Sequence, residues 1–286
     1  MNKNNVLIGC HVSIAGGFFK AIDEGMEIGC TAIQIFTKSN RQWASKPIDP
    51  ADAQKFITSQ KNSKIQVVVA HASYLINLGS ATPDVQNKSL AALIDEIKRC
   101  QILQIPYLVL HPGTAEEGYH EQTLHQTGNF INQALQATQD CTTTVLIETM
   151  AGQGKSIGKS FQELASIIAQ IDDKKRIGVC FDTCHTFVAG YDFTTPTSYD
   201  AMWKQFDSII GLRYLKMFHM NDSKKELGSH VDRHENIGQG AISIDAFAMI
   251  MNDMRFTKIP KILETPKGDD LELDKKNMAT LLKLIS

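Results

Sequence analysis

Residues 107–111 read Tyr-Leu-Val-Leu-His, and residues 65–71 before them read Ile-Gln-Val-Val-Val-Ala-His. Each is a short, mostly apolar run that stops on a polar residue able to do chemistry. Near-continuous apolar strands of this kind belong to parallel sheets covered by helices. The same unit recurs outward from these two. Leu7–Ser13 and Ala32–Thr37 precede them; Val145–Glu148, Ile177–Asp182, Tyr214–His219 and Lys261–Glu264 follow. Helical spacing separates the runs, as in Ile94, Ile97 and Cys100–Gln101 or Phe161, Leu164, Ala165 and Ile168. Thr82-Pro83-Asp84 and Ser243 read as helix starts. Eight such units in 286 residues predict an α/β chain that folds as one (β/α)8 TIM barrel over residues 1–286. An open doubly wound sheet is the alternative.

The composition is that of a globular protein with a real core: 43% of residues are apolar. No run of eighteen apolar residues offers a membrane span. The polar stretch Met1–Asn5 lacks the apolar region of a secretory signal, so a cytoplasmic protein is expected. The six cysteines, at 10, 30, 100, 141, 180 and 184, include no Cys-x-x-Cys pair and read as reduced core residues. The net charge of −2 argues against a general nucleic-acid binder, which normally needs basic excess.

The chemistry lies in how the strands end. His71, His111, Glu148, Asp182, His219 and Glu264 close six successive strands. In a barrel the carboxyl ends of the strands share one rim, so these side chains converge. His185 follows Asp182 by three residues, and Asp232 and His234, two apart, face the same way if the segment is extended. One histidine or carboxylate after a strand is usually a satisfied polar end or a helix cap. Nine at one rim are not so explained, because four carboxylates together repel one another and call for positive charge among them. The count exceeds the four ligands of one zinc, and imidazole plus carboxylate without thiolate suits zinc, manganese or iron. Two or three ions sharing a bridging carboxylate fit the count and suit phosphoryl transfer.

Weaker signals carry less. Gly154-Lys155-Ser156 resembles the end of a phosphate loop, but Thr149 stands where that motif needs glycine, so Gly152–Gly158 reads as a flexible rim loop. Cys184 reads as a buried thiol, since His185 beside it already meets the need for a ligand. His120, His125 and His230 have no partners in the pattern. His11 ends the first strand and is placed to support the rim from behind.

Longer motifs identify a resemblance. They are Phe36-Thr-Lys-Ser-Asn-Arg41-Gln42-Trp43, His71-Ala-Ser-Tyr74-Leu75-Ile-Asn-Leu-Gly, Gly178-Val-Cys-Phe-Asp182-Thr-Cys-His185 with Ala189-Gly-Tyr-Asp, His219-Met-Asn-Asp-Ser, Gly228-Ser-His-Val-Asp232-Arg233-His234 and Ile237-Gly-Gln-Gly. In these, and over essentially its whole length, the chain resembles the endonuclease IV family of apurinic/apyrimidinic endonucleases. The resemblance implies three Zn2+ ions. His71, His111 and Glu148 would hold the first. Glu148 would bridge to a second, also held by Asp182, His219 and Glu264. His185, Asp232 and His234 would hold the third. It implies a DNA-repair nuclease of base excision repair that cuts 5′ to an abasic site, leaving a 3′-hydroxyl and a 5′-deoxyribose phosphate, and that trims blocked 3′ ends. The implied partner is double-stranded DNA with such lesions, and the implied state is a monomer. Glu148 and Glu264 would orient the attacking water through the metals, with Asp232 and His234 nearer the leaving group. Arg41, Gln42, Tyr74, Leu75 and Arg233 would meet the DNA. His230 departs from the arginine usual in the family before Val231, which implies a weaker or pH-dependent phosphate contact.

Pattern alone gives Tyr74 and Leu75 a blander role, beginning a helix and packing inward, with Trp43 covering the core. The family match reverses that: an arginine and flat or apolar side chains make a wedge at a base step, and an abasic nucleotide flips out cheaply. Charge also fits better on this view. Apart from the four rim carboxylates the chain has a slight basic excess, and three zinc ions would move the formal total from −2 to about +4. The principal rival is a sugar isomerase or epimerase that uses Glu148, Asp182, His219 and Glu264 around one divalent ion, leaving the other five ligands without a task. The other rival, a non-catalytic lesion sensor, would be betrayed by a substituted ligand; none is seen.

Overall fold

The computed structural model describes residues 6–286; Met1–Asn5, on which the reading of the N-terminus rests, lies outside the described residues. Eight parallel strands form one sheet: β1 (Ile8–Cys10), β2 (Ala32–Phe36), β3 (Val67–His71), β4 (Tyr107–Leu110), β5 (Thr144–Glu148), β6 (Ile177–Asp182), β7 (Leu215–His219) and β8 (Lys261–Leu263). Neighbours pair in sequence order from β2 to β8, and β8 pairs with β1. Between β1 and β2 the seam is a single parallel bridge, His11 to Gln34, with the Val12 amide donating to the Gln34 carbonyl at 2.8 Å. The sheet is thus the predicted (β/α)8 barrel and not the open alternative.

Helices cover the outer face. Among them are α1 (Phe18–Ile28), α2 (Pro50–Lys61), α3 (Pro83–Ile102), α4 (His120–Gln136), α5 (Phe161–Ala169) and α6 (Thr183–Val188). Pro83 opens α3 as expected, since the first helical position needs no amide hydrogen, and the Ser243 hydroxyl caps the helix Ile244–Asn252 by accepting from the Asp245 amide. Successive strand residues face opposite sides. One set, including Val68, Leu108, Ile147 and Phe181, packs against the helices. The other fills the barrel: Ala32, Val69, Val109, Leu146, Cys180, Met217 and Ile262 form a separate interior cluster. All six cysteines are free and five are buried. Among the described residues no helix is long and apolar enough to cross a membrane.

Two local features set the rim. The register of β6 on β7 shifts between Val179–Leu215 and Cys180–Met217, which leaves Lys216 as an extra residue. Such a bulge re-aims the side chains beyond it, and here Asp182 comes to pair with His219. At the seam β1 approaches β2 so closely that a Cβ on Gly9 would lie 1.7 Å from the Ala32 carbonyl oxygen. Gly9→Ala should therefore force the seam apart. The expected cost is at or above the usual overpacking range, ~3 kcal/mol, which would lower Tm by roughly 6 °C or more in a chain of this size. Thermal melting checks this; an unchanged Tm would mean the seam is not closed as described.

Candidate metal centre

The interior layer of the barrel determines what stands above it. Moving two residues along each strand from an interior side chain reaches the next inward position: Gln34 above Ala32, His71 above Val69, His111 above Val109, Glu148 above Leu146, Asp182 above Cys180, His219 above Met217 and Glu264 above Ile262. His11 takes the same place above β1, so each strand sends one polar side chain to the rim. Loops complete the site. Asp182 caps α6, its carboxylate accepting from the His185 amide at 2.7 Å, and this turn aims His185 inward. The segment beyond β7 folds back through a two-residue ladder, Asp222–Ser223 against His234–Glu235. The Asp222 carboxylate anchors that segment by accepting from the amides of Ser223, Gly238, Gly240 and Ile242 at 2.7–3.0 Å.

Four groups result whose ligand-capable atoms lie within 4.8 Å of one another: His71, His111 and Glu148; Glu148, Asp182, His219 and Glu264; His185, Asp232 and His234; and Asp182, Cys184 and His234. The first three group the same residues as the sets that the family resemblance implies, with Glu148 common to two. In the fourth, burial pushes the Cys184 thiol up to about 12, so it is a poor source of thiolate.

The hydrogen bonds explain which way each ring points. The Nδ1–H of His71 donates to the Ala72 carbonyl at 2.7 Å, that of His185 to the Thr149 carbonyl at 2.9 Å and that of His234 to the Glu264 carbonyl at 3.0 Å. In each ring Nε2 is left facing the site. His219 is reversed: its Nε2–H donates to the Gln34 amide oxygen at 2.8 Å, and its Nδ1 faces Glu148 at 2.8 Å. Such outer bonds fix tautomer and orientation in metal-binding histidines. Two of the converging atoms, His71 Nε2 and Glu148 Oε2, are fully buried and make no well-formed hydrogen bond, though they lie 3.5 Å apart and His111 Nε2 stands 3.1 Å from the same oxygen. Orphaned buried polar atoms are rare and costly. A cation between them satisfies both, and the imidazole–carboxylate donor set suits a divalent transition metal.

The charges interlock. Burial alone would raise the Glu148 carboxyl, but the imidazoles of His219, His111 and His185 outweigh it and hold it well below the usual carboxylate range. Burial would lower His185 and His219, yet the surrounding carboxylates, joined by the Cys180 thiol at His219, hold both well above the usual imidazole range. Burial dominates at Asp182 and raises it. Positive charge is thus drawn onto the rim, the role a bound cation would take over with release of protons.

The residues expected to meet DNA surround this centre. Arg41 and Gln42 are exposed in the loop after β2, and Trp43 packs partly against the core, as the blander reading had it. Tyr74 and Leu75 form a turn and begin no helix. Tyr74 is 54% exposed, with its ring 5.1 Å from that of His71 and 5.4 Å from that of His111. Arg233 is exposed, and its guanidinium folds onto the Asp232 carbonyl. His230, also exposed, has φ of 55° and turns its Nδ1 toward the Ala151 carbonyl at 3.1 Å. His11 stands behind the rim as expected, its Nδ1 2.9 Å from Gln34 Nε2 and 3.6 Å from Glu264. His120 pairs with Glu163 at 3.0 Å, away from the site. Gln153, in the rim loop, accepts the Asp232 amide at 2.8 Å.

Two residues central to the geometry were not singled out from sequence. Gln34 donates to Glu264 at 2.5 Å as well as accepting from His219. Asn221 donates to Asp182 at 2.7 Å and accepts the Glu264 amide at 2.8 Å. A signal for Gln34 existed: it is a fully buried amide inside the apolar run Ala32–Phe36, and such a group needs a partner.

Known proteins share the fold and much of the sequence. Residues 22–284 match the family model described as a xylose isomerase-like TIM barrel. The chain is 45% identical over 277 residues, 97% of each chain, to the "Probable endonuclease 4" of Chloroflexus aurantiacus. Among solved structures it is similar to endonuclease IV from Thermus thermophilus, with a TM-score of 0.86, 33% identity and coverage of 97% of this chain and 98% of that one. A D-tagatose 3-epimerase-like protein also superposes, with a TM-score of 0.74 at 18% identity and coverage of 97% and 96%, a likeness of fold alone.

Gln34→Ala tests whether the outer bonds matter. The variant should bind a divalent metal about 10–100-fold more weakly, measured by competition with a chelator, because His219 loses its fixed tautomer. The Tm of the metal-stripped protein should fall as well, because each buried group left without its partner costs about 1–3 kcal/mol and each kcal/mol moves Tm by about 2–4 °C, so affinity is measured well below the melting range. Unchanged metal affinity would show that the Gln34–His219 bond does not orient the ligand.

Proposed function

The chain belongs to the endonuclease IV family, and from that premise we propose that it is a zinc-dependent phosphodiesterase that cuts DNA 5′ to abasic sites and trims blocked 3′ ends. The observation that carries the reading is the convergence of nine imidazoles and carboxylates on one rim, with His71 Nε2 and Glu148 Oε2 buried at its heart without a well-formed hydrogen bond. His71, His111 and Glu148 would hold one zinc; Glu148, Asp182, His219 and Glu264 a second; His185, Asp232 and His234 a third. Bound there, zinc supplies a Lewis acid that lowers the pKa of water to about 7 and neutralises charge on a phosphate.

The remaining work falls to the chain. Glu148 and Glu264 are held ionised by the imidazoles around them, chiefly His219 in each case, although burial opposes this. They therefore reach the reaction as acceptors with fixed orientation. Gln34 and Asn221 hold Glu264 from two sides, through its carboxylate and its backbone amide. Asp232 and His234 sit at the more open edge, 40% and 19% exposed, where a leaving oxygen can depart to solvent. Tyr74 overhangs His71 and His111; with Leu75, Arg41 and Gln42 it would fill the gap left by a missing base. Arg233 adds a cation at the entrance. Preorganised donors and fixed charge are the main source of rate in phosphoryl transfer, so a rigid rim suffices without a covalent intermediate.

The isomerase alternative needs only the Glu148, Asp182, His219 and Glu264 group. It gives no use to the separate cluster of His185, Asp232 and His234, nor to the His71 nitrogen buried without a well-formed hydrogen bond.

Glu264→Gln keeps the shape of the rim and removes one negative charge. The variant should melt like the parent, bind an abasic duplex and cut it at least about a hundredfold more slowly, on the order of 3 kcal/mol of lost barrier lowering, in single-turnover assays. Undiminished cutting would contradict the ligand assignment. Tyr74→Ala combined with Leu75→Ala should lower abasic affinity while the metal content stays unchanged. A collapse of Tm, from losing about 2–5 kcal/mol per truncated core side chain, would instead mark both as core residues.

A further inference from the structure

Two loops that carry the proposed DNA-contacting residues, one after β2 with Arg41 and Gln42 and one after β3 with Tyr74 and Leu75, are joined beneath the surface by a cluster that the rim chemistry does not use. Glu96, on α3, is 1% exposed. Its carboxylate accepts from the Thr37 hydroxyl and, at 3.4 Å, from the Ser73 amide, and it lies 3.7 Å from the Lys38 ammonium. Lys38 in turn donates to Asp95 at 2.8 Å and to the Trp43 carbonyl at 3.3 Å. Arg99, one turn along α3, donates to the Thr37 carbonyl at 2.6 Å and to the Lys46 carbonyl at 3.0 Å. Ser73 closes the circuit: its hydroxyl donates to the Asn40 carbonyl at 2.9 Å and accepts the Leu75 amide at 3.3 Å.

Burying charges is costly unless each is paired and hydrogen-bonded, and apolar replacements often hold a fold as well. This cluster is balanced, two cations against two carboxylates; its donors go mostly to backbone carbonyls of the loop after β2, while Glu96 and the Ser73 hydroxyl accept backbone amides of the loop after β3. It suits a clamp and not an anion site. We propose that Glu96 and Ser73 are positioning residues that couple the two loops, so that Arg41–Gln42 and Tyr74–Leu75 engage the duplex as one rigid wedge. The inference rests on the reading that these loops grip DNA. A wedge made of two independent loops would pay the ordering entropy of each on binding, whereas a coupled one has already met that cost.

The test uses the full-length, metal-loaded protein with Ser73→Ala and Glu96→Gln. Two substrates are compared: an abasic duplex with fully paired flanks, and one whose lesion is flanked by mismatches and so is already unstacked. A 2-aminopurine opposite the lesion reports extrusion by fluorescence. With paired flanks, KM should rise about tenfold, the scale set by losing one or two hydrogen bonds, and the fluorescence rise should shrink. The maximal rate should stay within about twofold, because no group touching the reacting atoms is altered. On the mismatched duplex most of the KM defect should disappear, and metal content should equal that of the parent. Ser73→Ala removes a single hydroxyl and carries the test alone if Glu96→Gln does not fold. An equal defect on both substrates, or a lowered Tm with no KM defect, would reduce the cluster to a structural role and overturn the proposal. Tyr74→Ala with Leu75→Ala separates the two readings. If that pair leaves the fluorescence intact, the loops do not grip DNA and the coupling falls with them. If it abolishes the signal while Ser73→Ala does not, only the coupling fails.

Discussion

The two-residue period of a β-strand is the constraint from which the rest follows. Inward side chains recur at every second residue of each strand in a closed barrel. Here Ala32, Val69, Val109, Leu146, Cys180, Met217 and Ile262 pack in the interior, and two residues further along the same strands stand Gln34, His71, His111, Glu148, Asp182, His219 and Glu264, with His11 beyond β1. A one-residue slip in any strand would turn a rim residue outward, into the helices. The bulge at Lys216 matters for the same reason, because it sets the phase in which His219 meets Asp182.

Convergence alone would give a disordered tangle of charges. Order comes from what lies behind four of the five imidazoles. Carbonyls of Ala72, Thr149 and Glu264 and the amide of Gln34 each take one ring nitrogen, and so choose the nitrogen that faces inward. The backbone that ends the strands therefore also selects the tautomers. The same arrangement explains how four carboxylates coexist on one rim: the imidazoles of His185 and His219, which the surrounding acids hold well above the usual imidazole range, stand among them, and a divalent cation is the natural replacement. The rim is a preformed, carboxylate-rich socket for cations, and on a chain whose net charge is −2 bound divalent ions would concentrate positive field there.

Much of this was legible in the sequence, because strand ends are local. All eight apolar runs became strands, six of them trimmed at an edge, while the fifth gained Thr144 and the sixth kept its bounds. Leu7–Ser13 shortened to Ile8–Cys10, since beyond the seam β1 keeps only the His11 bridge, and Tyr214 closes a 3-10 turn ahead of β7. Residues His71, His111, Glu148, Asp182, His219 and Glu264 were visible because each ends a run, and His185, Asp232 and His234 because they repeat ligand types close by. What stayed hidden depends on contacts between distant parts of the chain. Gln34 meets His219 across 185 residues, and Ser73 meets Glu96 across 23. Nothing in local periodicity announces such a pair. Tyr74 shows the opposite error: its pattern suggested an inward-packing helix start, but the turn at Ser73 leaves the ring half exposed over the rim.

The central claim is that one rim holds three metal ions, with Glu148 shared between two. Anomalous diffraction at the zinc absorption edge, on crystals of the metal-loaded protein, tests it directly. The account predicts three peaks: one among His71, His111 and Glu148, one among Glu148, Asp182, His219 and Glu264, and one among His185, Asp232 and His234. A single peak in the second group, with the other two sets of side chains empty, would contradict it.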